Sequence, residues 1–323
     1  MKKKILSLIL AVILCFLISA CVPHAPEESI PTPSATPVKT SVSTPLLYKV
    51  TDASDNIIWL FGTIHVGRED FFPLPDYALN ALYESDALAV EFDLTEFETD
   101  FSAQTACLQK LTYSDGSTID DHIPKDLYDD SVKTLKENSF YNKMFDYYMP
   151  SMWSSLIDNV SYMKLGIDVN SGVDRHLIKL AKEKNIEVLD VESAEFQYNM
   201  LAEFSPQLQE LILRESVKSY NESSETKSGL DELMEAWFKG DEKVVTDLIN
   251  EDDPDLTDDE KLIYNEYLEK LITSRNKTMP EYAENTLKSG KTVFMAVGMG
   301  HIVGDGGVKD SLEKLGYKVE VIR

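Results

Sequence analysis

The chain has no HExxH helix, no GxSxG nucleophile turn, no Walker phosphate loop and no Gly-x-Gly-x-x-Gly fingerprint, so four familiar routes to hydrolysis or nucleotide binding are closed at the level of motif. Cysteine is scarce. Cys15, Cys21 and Cys107 are three in 323 residues, too few for a disulfide framework. Positive charge is also scarce: 31 Lys and Arg stand against 56 Asp and Glu, a formal charge of −25. That balance argues against a nucleic-acid partner, which needs a cationic face. No repeat of fixed period runs through the chain. What remains is 43% apolar and 27% charged residues, a globular mixture long enough for one large domain or two small ones.

Long apolar runs are confined to the amino end. Lys2, Lys3 and Lys4 precede Ile5–Ala20, which is apolar but for Ser7 and Ser19. As a helix this run reaches roughly 24 Å, short of the ~30 Å hydrocarbon core, which favours a signal peptide over residues 1–20 rather than a spanning helix. It closes on Leu17-Ile18-Ser19-Ala20-Cys21, which resembles a bacterial lipobox, with Cys21 as the lipidated new terminus carrying palmitate-type acyl chains. The expected location is therefore the cell membrane, lipid-anchored and extracytoplasmic. After cleavage Cys107 would be the single thiol. Between Ala106 and Leu108 it reads as buried filler.

Residues 21–45 hold six of the 13 prolines among Ser and Thr and read as an extended, disordered linker. His24 lies there without an assigned role. A single folded domain is expected over 46–323. Leu46–Val50 and Ile57–Phe61 form a β-hairpin, Pro75–Ser85 a short helix and Ala87–Phe92 a buried strand. Tyr128–Gly166 is aromatic-rich and helical. Val173–Lys184 is a helix and Ile186–Val191 a strand. Helices follow at Pro206–Tyr220, Leu230–Asn250 and Leu262–Asn276. The acidic run Glu251–Glu260 between the last two reads as a solvated loop without EF-hand spacing. A strand at Thr292–Val297, a helix at Val308–Leu315 and a strand at Lys318–Ile322 end the chain. The fold class is α/β: a mixed β-sheet flanked by helices, assembled from distant segments, with a mostly helical middle region.

Two histidines share a local layout. Trp59-Leu60-Phe61-Gly62-Thr63-Ile64-His65 and Val297-Gly298-Met299-Gly300-His301 each run from an apolar strand through Gly and two residues to His. Such a turn delivers a polar side chain to the carboxyl end of a sheet, where open α/β sheets bind ligands. Two imidazoles can bind a transition metal or move protons, or both can be turn residues bonded to backbone. Glu91 closes the apolar run Ala87–Val90, as metal ligand, general base or strand-end carboxylate reaching water. Asp190 and Glu192 close the next strand as supporting groups. Arg275 and Asn276 end a helix, with Arg275 either exposed or clamping a substrate or carboxylate. His122 and His176 read as structural. The glycine-rich stretch Met299–Gly307 ahead of a helix suits an anion but lacks the lysine of a phosphate loop.

These residues carry a resemblance. Ile58–Gly67, with Leu74-Pro75 and Ala87–Glu91, is similar to the TraB/PrgY/GumN family. So are Gly172-Val173-Asp174, Val188–Glu192 with Gln197, Arg275-Asn276, and Ala296–Gly304 with Gly316-Tyr317. The likeness runs in order through nearly all of the chain from Leu46. That family includes the Tiki proteins, membrane-associated metalloproteases that clip the amino end of Wnt proteins. Its PrgY and TraB members are linked to peptide-pheromone shutdown, and its fold resembles the erythromycin esterase and ChaN group. The resemblance implies a metal-dependent hydrolase, a peptidase acting on extracellular peptide or protein. His65, Glu91 and His301 would hold a divalent transition metal (Mn, Co or Zn), and Arg275 would join them in catalysis. Two other readings stand beside it: a non-catalytic lipoprotein that sequesters a pheromone-like peptide, and a metal-free esterase with His65 as base.

Overall fold

The computed structural model describes residues 43–250 and 256–323. The expected signal peptide, Cys21, His24 and most of the expected linker lie outside the described residues. The last linker residues already belong to the domain: Ser43 is buried, Thr44 N–H donates to the Phe238 carbonyl, and the Pro45 carbonyl accepts from Tyr77 Oη.

A six-stranded mixed sheet with many helices makes this an α/β protein. The strands are β1 Leu47–Thr51, β2 Ile57–Thr63, β3 Ala87–Val90, β4 Glu187–Asp190, β5 Val293–Gly298 and β6 Lys318–Ile322, in spatial order β4-β3-β5-β2-β1-β6. β1 is antiparallel to β2 and β6, whereas β2, β3, β4 and β5 all run in one direction. Composition explains the placement. β3 (ALAV) and β5 (VFMAVG) are almost wholly apolar and buried, as inner parallel strands covered on both faces must be. β4 (EVLD) and β6 (KVEVI) are the more polar strands and take the two edges.

Because four neighbouring strands run parallel, their carboxyl ends open on one edge. Register aligns them closely, with Thr63 opposite Gly298, and Val90 opposite both Ala296 and Asp190. Residues just beyond those ends, His65, Glu91, Glu192 and His301, are therefore delivered to one place.

Several elements differ from expectation. The helical stretch 128–166 is two helices, Lys125–Glu137 and Pro150–Leu165. Ser139 in the left-handed region stops the first, and Pro150 at a first-turn position starts the second. Leu230–Asn250 divides at Gly240 (φ 61°) into Ser223–Lys239 and Glu242–Asn250. Part of the acidic run is helix rather than loop: Thr257 caps Asp258–Leu268 reciprocally with Glu260, and three acids in its first turn suit the positive end of the helix dipole. Residues 251–255 lie outside the described residues. Helices at Phe101–Lys110 and Ala194–Ala202 had no counterpart in the sequence reading. Arg275 and Asn276 do not end a helix. They open one, Arg275–Ser289, after a π turn at Glu269–Thr273. Among the described residues, no helix is long and apolar enough to cross a membrane.

Candidate functional site

β2 ends at Thr63, and the chain turns to bring His65 inward. The turn is fixed from below: Val173 N–H donates to the Ile64 carbonyl at 2.9 Å, and a Cβ at Gly172 would lie 2.6 Å from the His65 carbonyl oxygen. Only glycine admits that approach. The helix Val173–Lys184 thereby places Asp174 under the site. Its Oδ2 lies 2.8 Å from His65 Nδ1, and its Oδ1 accepts from Thr63 Oγ1 at 2.5 Å. A carboxylate can only accept, so Nδ1 carries the proton, and in the neutral imidazole Nε2 is the lone-pair nitrogen. Burial pushes the His65 pKa down, but Asp174 outweighs it and leaves a net rise.

His301 sits in the short helix Met299–Ile302 that follows β5. Its Nδ1 lies 2.7 Å from Asn276 Oδ1, which fixes the same tautomer. No carboxylate backs this ring. Burial, then the nearby Arg275 guanidinium, push its pKa down to about 3, so it is a neutral imidazole across the physiological range.

Glu91 is one residue past β3, with Oε1 accepting from Gly298 N–H at 2.9 Å. Its Oε2 accepts from Gln197 Nε2 at 2.9 Å and from Arg275 Nη2 at 2.5 Å. It is not a strand-end carboxylate reaching water, because its side chain is buried. Nor is Arg275 exposed: its guanidinium spans Glu91 and Glu192, bonding the latter through Nε at 2.9 Å and Nη2 at 2.7 Å. Burial works to raise the Glu91 pKa, but Arg275, the two imidazoles and the Gly298 N–H together outweigh it and hold the carboxylate ionised. Asp190 and Glu192 part company. Glu192 anchors Arg275, whereas Asp190 accepts from Asp93 N–H.

Gly298 is the centre of the arrangement. A Cβ there would lie 3.2 Å from Glu91 Oε1, 3.7 Å from His65 Nε2 and 3.7 Å from His301 Cδ2. The two imidazoles and the carboxylate therefore face one small space that glycine keeps open. The cavity over it, about 60 Å³, is lined by these three groups and by Leu233, Ile249, Ile272 and Met299. Wider clefts occur elsewhere, such as one of about 620 Å³ beside Asp93, Asp100, Cys107 and Asp190, but it holds no histidine. Cys107 is buried and free. His122 stacks on Tyr113 and His176 packs on Phe72, and neither lines the cavity. Among the described residues, no group of three or more His, Cys, Asp or Glu side chains is arranged to hold a metal ion.

Sequence reasoning assigned no role to Asp174, Asn276 or Gln197 from residue type alone. Asp174 in the first turn of a helix looks like an ordinary dipole-matching acid, and Asn276 looks like a surface amide. The one signal was their place in the family-like segments.

A model of the TraB/PrgY/gumN family matches residues 46–321. Among curated proteins, the uncharacterized protein YbaP of Escherichia coli (strain K12) is 28% identical over 144 residues, covering 44% of this chain and 50% of YbaP. YbaP of Shigella flexneri matches with the same identity and coverage. The chain thus matches about half the length of these relatives. No solved structure matches it.

Proposed function

The chain belongs to the TraB/PrgY/gumN family, and from that premise we propose that it is a cell-surface, metal-dependent hydrolase acting on an extracytoplasmic peptide or protein and tethered to the membrane through lipid on Cys21. The observation that carries the reading is the convergence of His65, Glu91 and His301 on the space kept open by Gly298. Two imidazole nitrogens and one carboxylate oxygen suit a divalent transition ion such as Mn²⁺, Co²⁺ or Zn²⁺. Each ring has its other nitrogen tied, His65 to Asp174 and His301 to Asn276, which is the outer support that metal-bound imidazoles use. Buried charge favours the same conclusion. Glu91 and Glu192 share the single guanidinium of Arg275, while Asp174 pairs with His65, so the cluster has three carboxylates to one guanidinium, an excess that a dication offsets.

When bound, the ion would polarise a substrate carbonyl and acidify a water. The protein's own part is orientation. Asp174 fixes the His65 tautomer, Asn276 that of His301, and Arg275 with Gln197 holds Glu91 ionised with Oε1 turned toward the rings. Glu91, with Oε2 taken by Gln197 and Arg275, is left to present Oε1 as a ligand.

One observation favours a second reading. The His65–Asp174 pair, with its raised imidazole pKa, is also the geometry of a general base, as a metal-free esterase would use. A peptide-library digest with the full chain separates the readings. Cleavage that chelation removes and Mn²⁺, Co²⁺ or Zn²⁺ restores supports the metallohydrolase. Turnover at full rate without metal supports the esterase. Peptide binding without cleavage under every metal supports a sequestering lipoprotein.

A further inference from the structure

Apart from the reacting groups and the turn that carries them, the walls of the site cavity are aliphatic or thioether: Leu233, Ile249, Ile272 and Met299. Leu233 and Met299 are buried, while Ile249 and Ile272 are half-buried and form the rim. The rim sits directly over the turn bearing His301. A Cβ at Gly300 would lie 3.3 Å from Ile249 Cδ1 and 3.9 Å from Ile272 Cδ1. Ile272 also lines a second, outer groove of about 590 Å³ running past Asn276, Lys277, Pro280 and Leu315. It therefore divides a small apolar cavity at the reacting groups from a larger, open channel at the surface. The π turn at Glu269–Thr273 holds it there, immediately before the helix that carries Arg275 and Asn276.

We propose that this cavity is the specificity subsite of the enzyme and takes a small, uncharged aliphatic side chain of the substrate, of alanine to valine size, while the flanking substrate chain crosses Ile272 into the outer groove. The inference rests on the hydrolase reading above and names its substrate class. Size sets the upper bound, since a cavity of about 60 Å³ has room for only a few small groups and an ion held by His65, Glu91 and His301 would take part of it. Polarity sets the chemistry. Beyond Thr63 and the reacting groups His65, Glu91 and His301, no wall residue offers a charge or hydrogen bond to a side chain entering there, so a charged group held against the aliphatic wall would lose its hydration without replacement. Ile249 and Ile272 set the ceiling, and Gly300 keeps the floor low.

The test uses the full chain with ¹³C-labelled histidine rings and titrates it with N-acetyl amides of Ala, Val, Leu, Phe, Asp and Lys. Ring shifts of His301 should saturate with the Ala and Val probes at concentrations at least about tenfold lower than with Asp, Lys or Phe, the scale on which apolar pockets discriminate. Ile249→Ala should extend tight binding to the Leu probe, and Gly300→Ala should weaken the Val probe about tenfold. The two variants act in opposite directions, so a misfolded one leaves the other to decide. Equal binding of charged and aliphatic probes, or no response to any, overturns the subsite. Size-selective binding in a protein that cleaves nothing under any metal overturns the hydrolase reading and leaves the subsite standing. Metal-dependent cleavage beside Asp, Lys or Phe does the reverse.

Discussion

Arg275 reaches Glu91 across 184 positions of sequence, with its Nη2 2.5 Å from Glu91 Oε2 and its side chain wholly buried. Together with Glu192 this makes a buried ion cluster that is part of the core as well as of the site. Changing Arg275 therefore touches stability as well as the site. Arg275→Gln leaves two buried carboxylates without their cation and should cost about 3–5 kcal/mol in urea unfolding, with Arg275→Lys intermediate. A loss below about 1 kcal/mol would show that the cluster is dispensable to folding.

Stability should fall with rising pH through one carboxyl remote in sequence from the site. Asp158, in the Pro150–Leu165 helix, is buried, and its Oδ2 has no hydrogen-bond partner. Burial, offset in part by Ser216, pushes its pKa from 3.8 up to about 7. The folded state thus holds a proton that the unfolded chain releases near pH 4. Stability from this group is full below that pH and is lost as pH rises through 7. Asp158→Asn should be about 2–4 kcal/mol more stable than the native chain at pH 8.5 and nearly equal to it at pH 4. Parallel stability curves for the two proteins would refute the assignment.

Gly298→Ala adds one methyl group 3.2 Å from Glu91 Oε1 and 3.7 Å from both imidazoles. The φ of Gly298 is −46°, so alanine meets no backbone penalty there and the effect is local to the site. Affinity for a divalent ion should fall about 10–100-fold, the scale seen when groups supporting a metal site are disturbed, with a thermal midpoint within a few degrees of native. Unchanged ion affinity would show that the space over Gly298 is not where an ion sits.

The amino end makes its own prediction. Cys21 closes Leu17-Ile18-Ser19-Ala20-Cys21, and Cys21→Ala should abolish incorporation of labelled fatty acid and release or stall the precursor. Unchanged membrane retention with normal cleavage elsewhere would reject the lipid anchor.

Much of the sheet was legible because its strands are short apolar runs bounded by turns. β1, β2, β5 and β6 fall within a residue or two of their expected bounds. The matched Gly-x-x-His turns were legible for the same reason, as a repeated junction of strand and glycine. What the sequence hid are partnerships. Nothing in Asp174, Glu192 or Arg275 taken singly says that each is buried, because charged residues at helix and strand ends are usually solvated. Their burial follows from four parallel strands ending at one edge, a property of topology. Helix breaks were hidden where one residue decides them. Ser139 takes a left-handed conformation that serine seldom adopts, and Asn276 follows a π turn that no spacing of apolar residues announces.

The central claim is that His65, Glu91 and His301 hold one divalent ion over Gly298, and the most direct test is titration of the full chain with Co²⁺ followed by its visible d–d absorption, with no substrate present. One equivalent should bind with bands typical of mixed nitrogen and oxygen ligation, and His65→Ala and His301→Ala, confirmed folded by circular dichroism, should each abolish the bands. Absence of the spectrum in the native chain, or its persistence in both histidine variants, would contradict the claim.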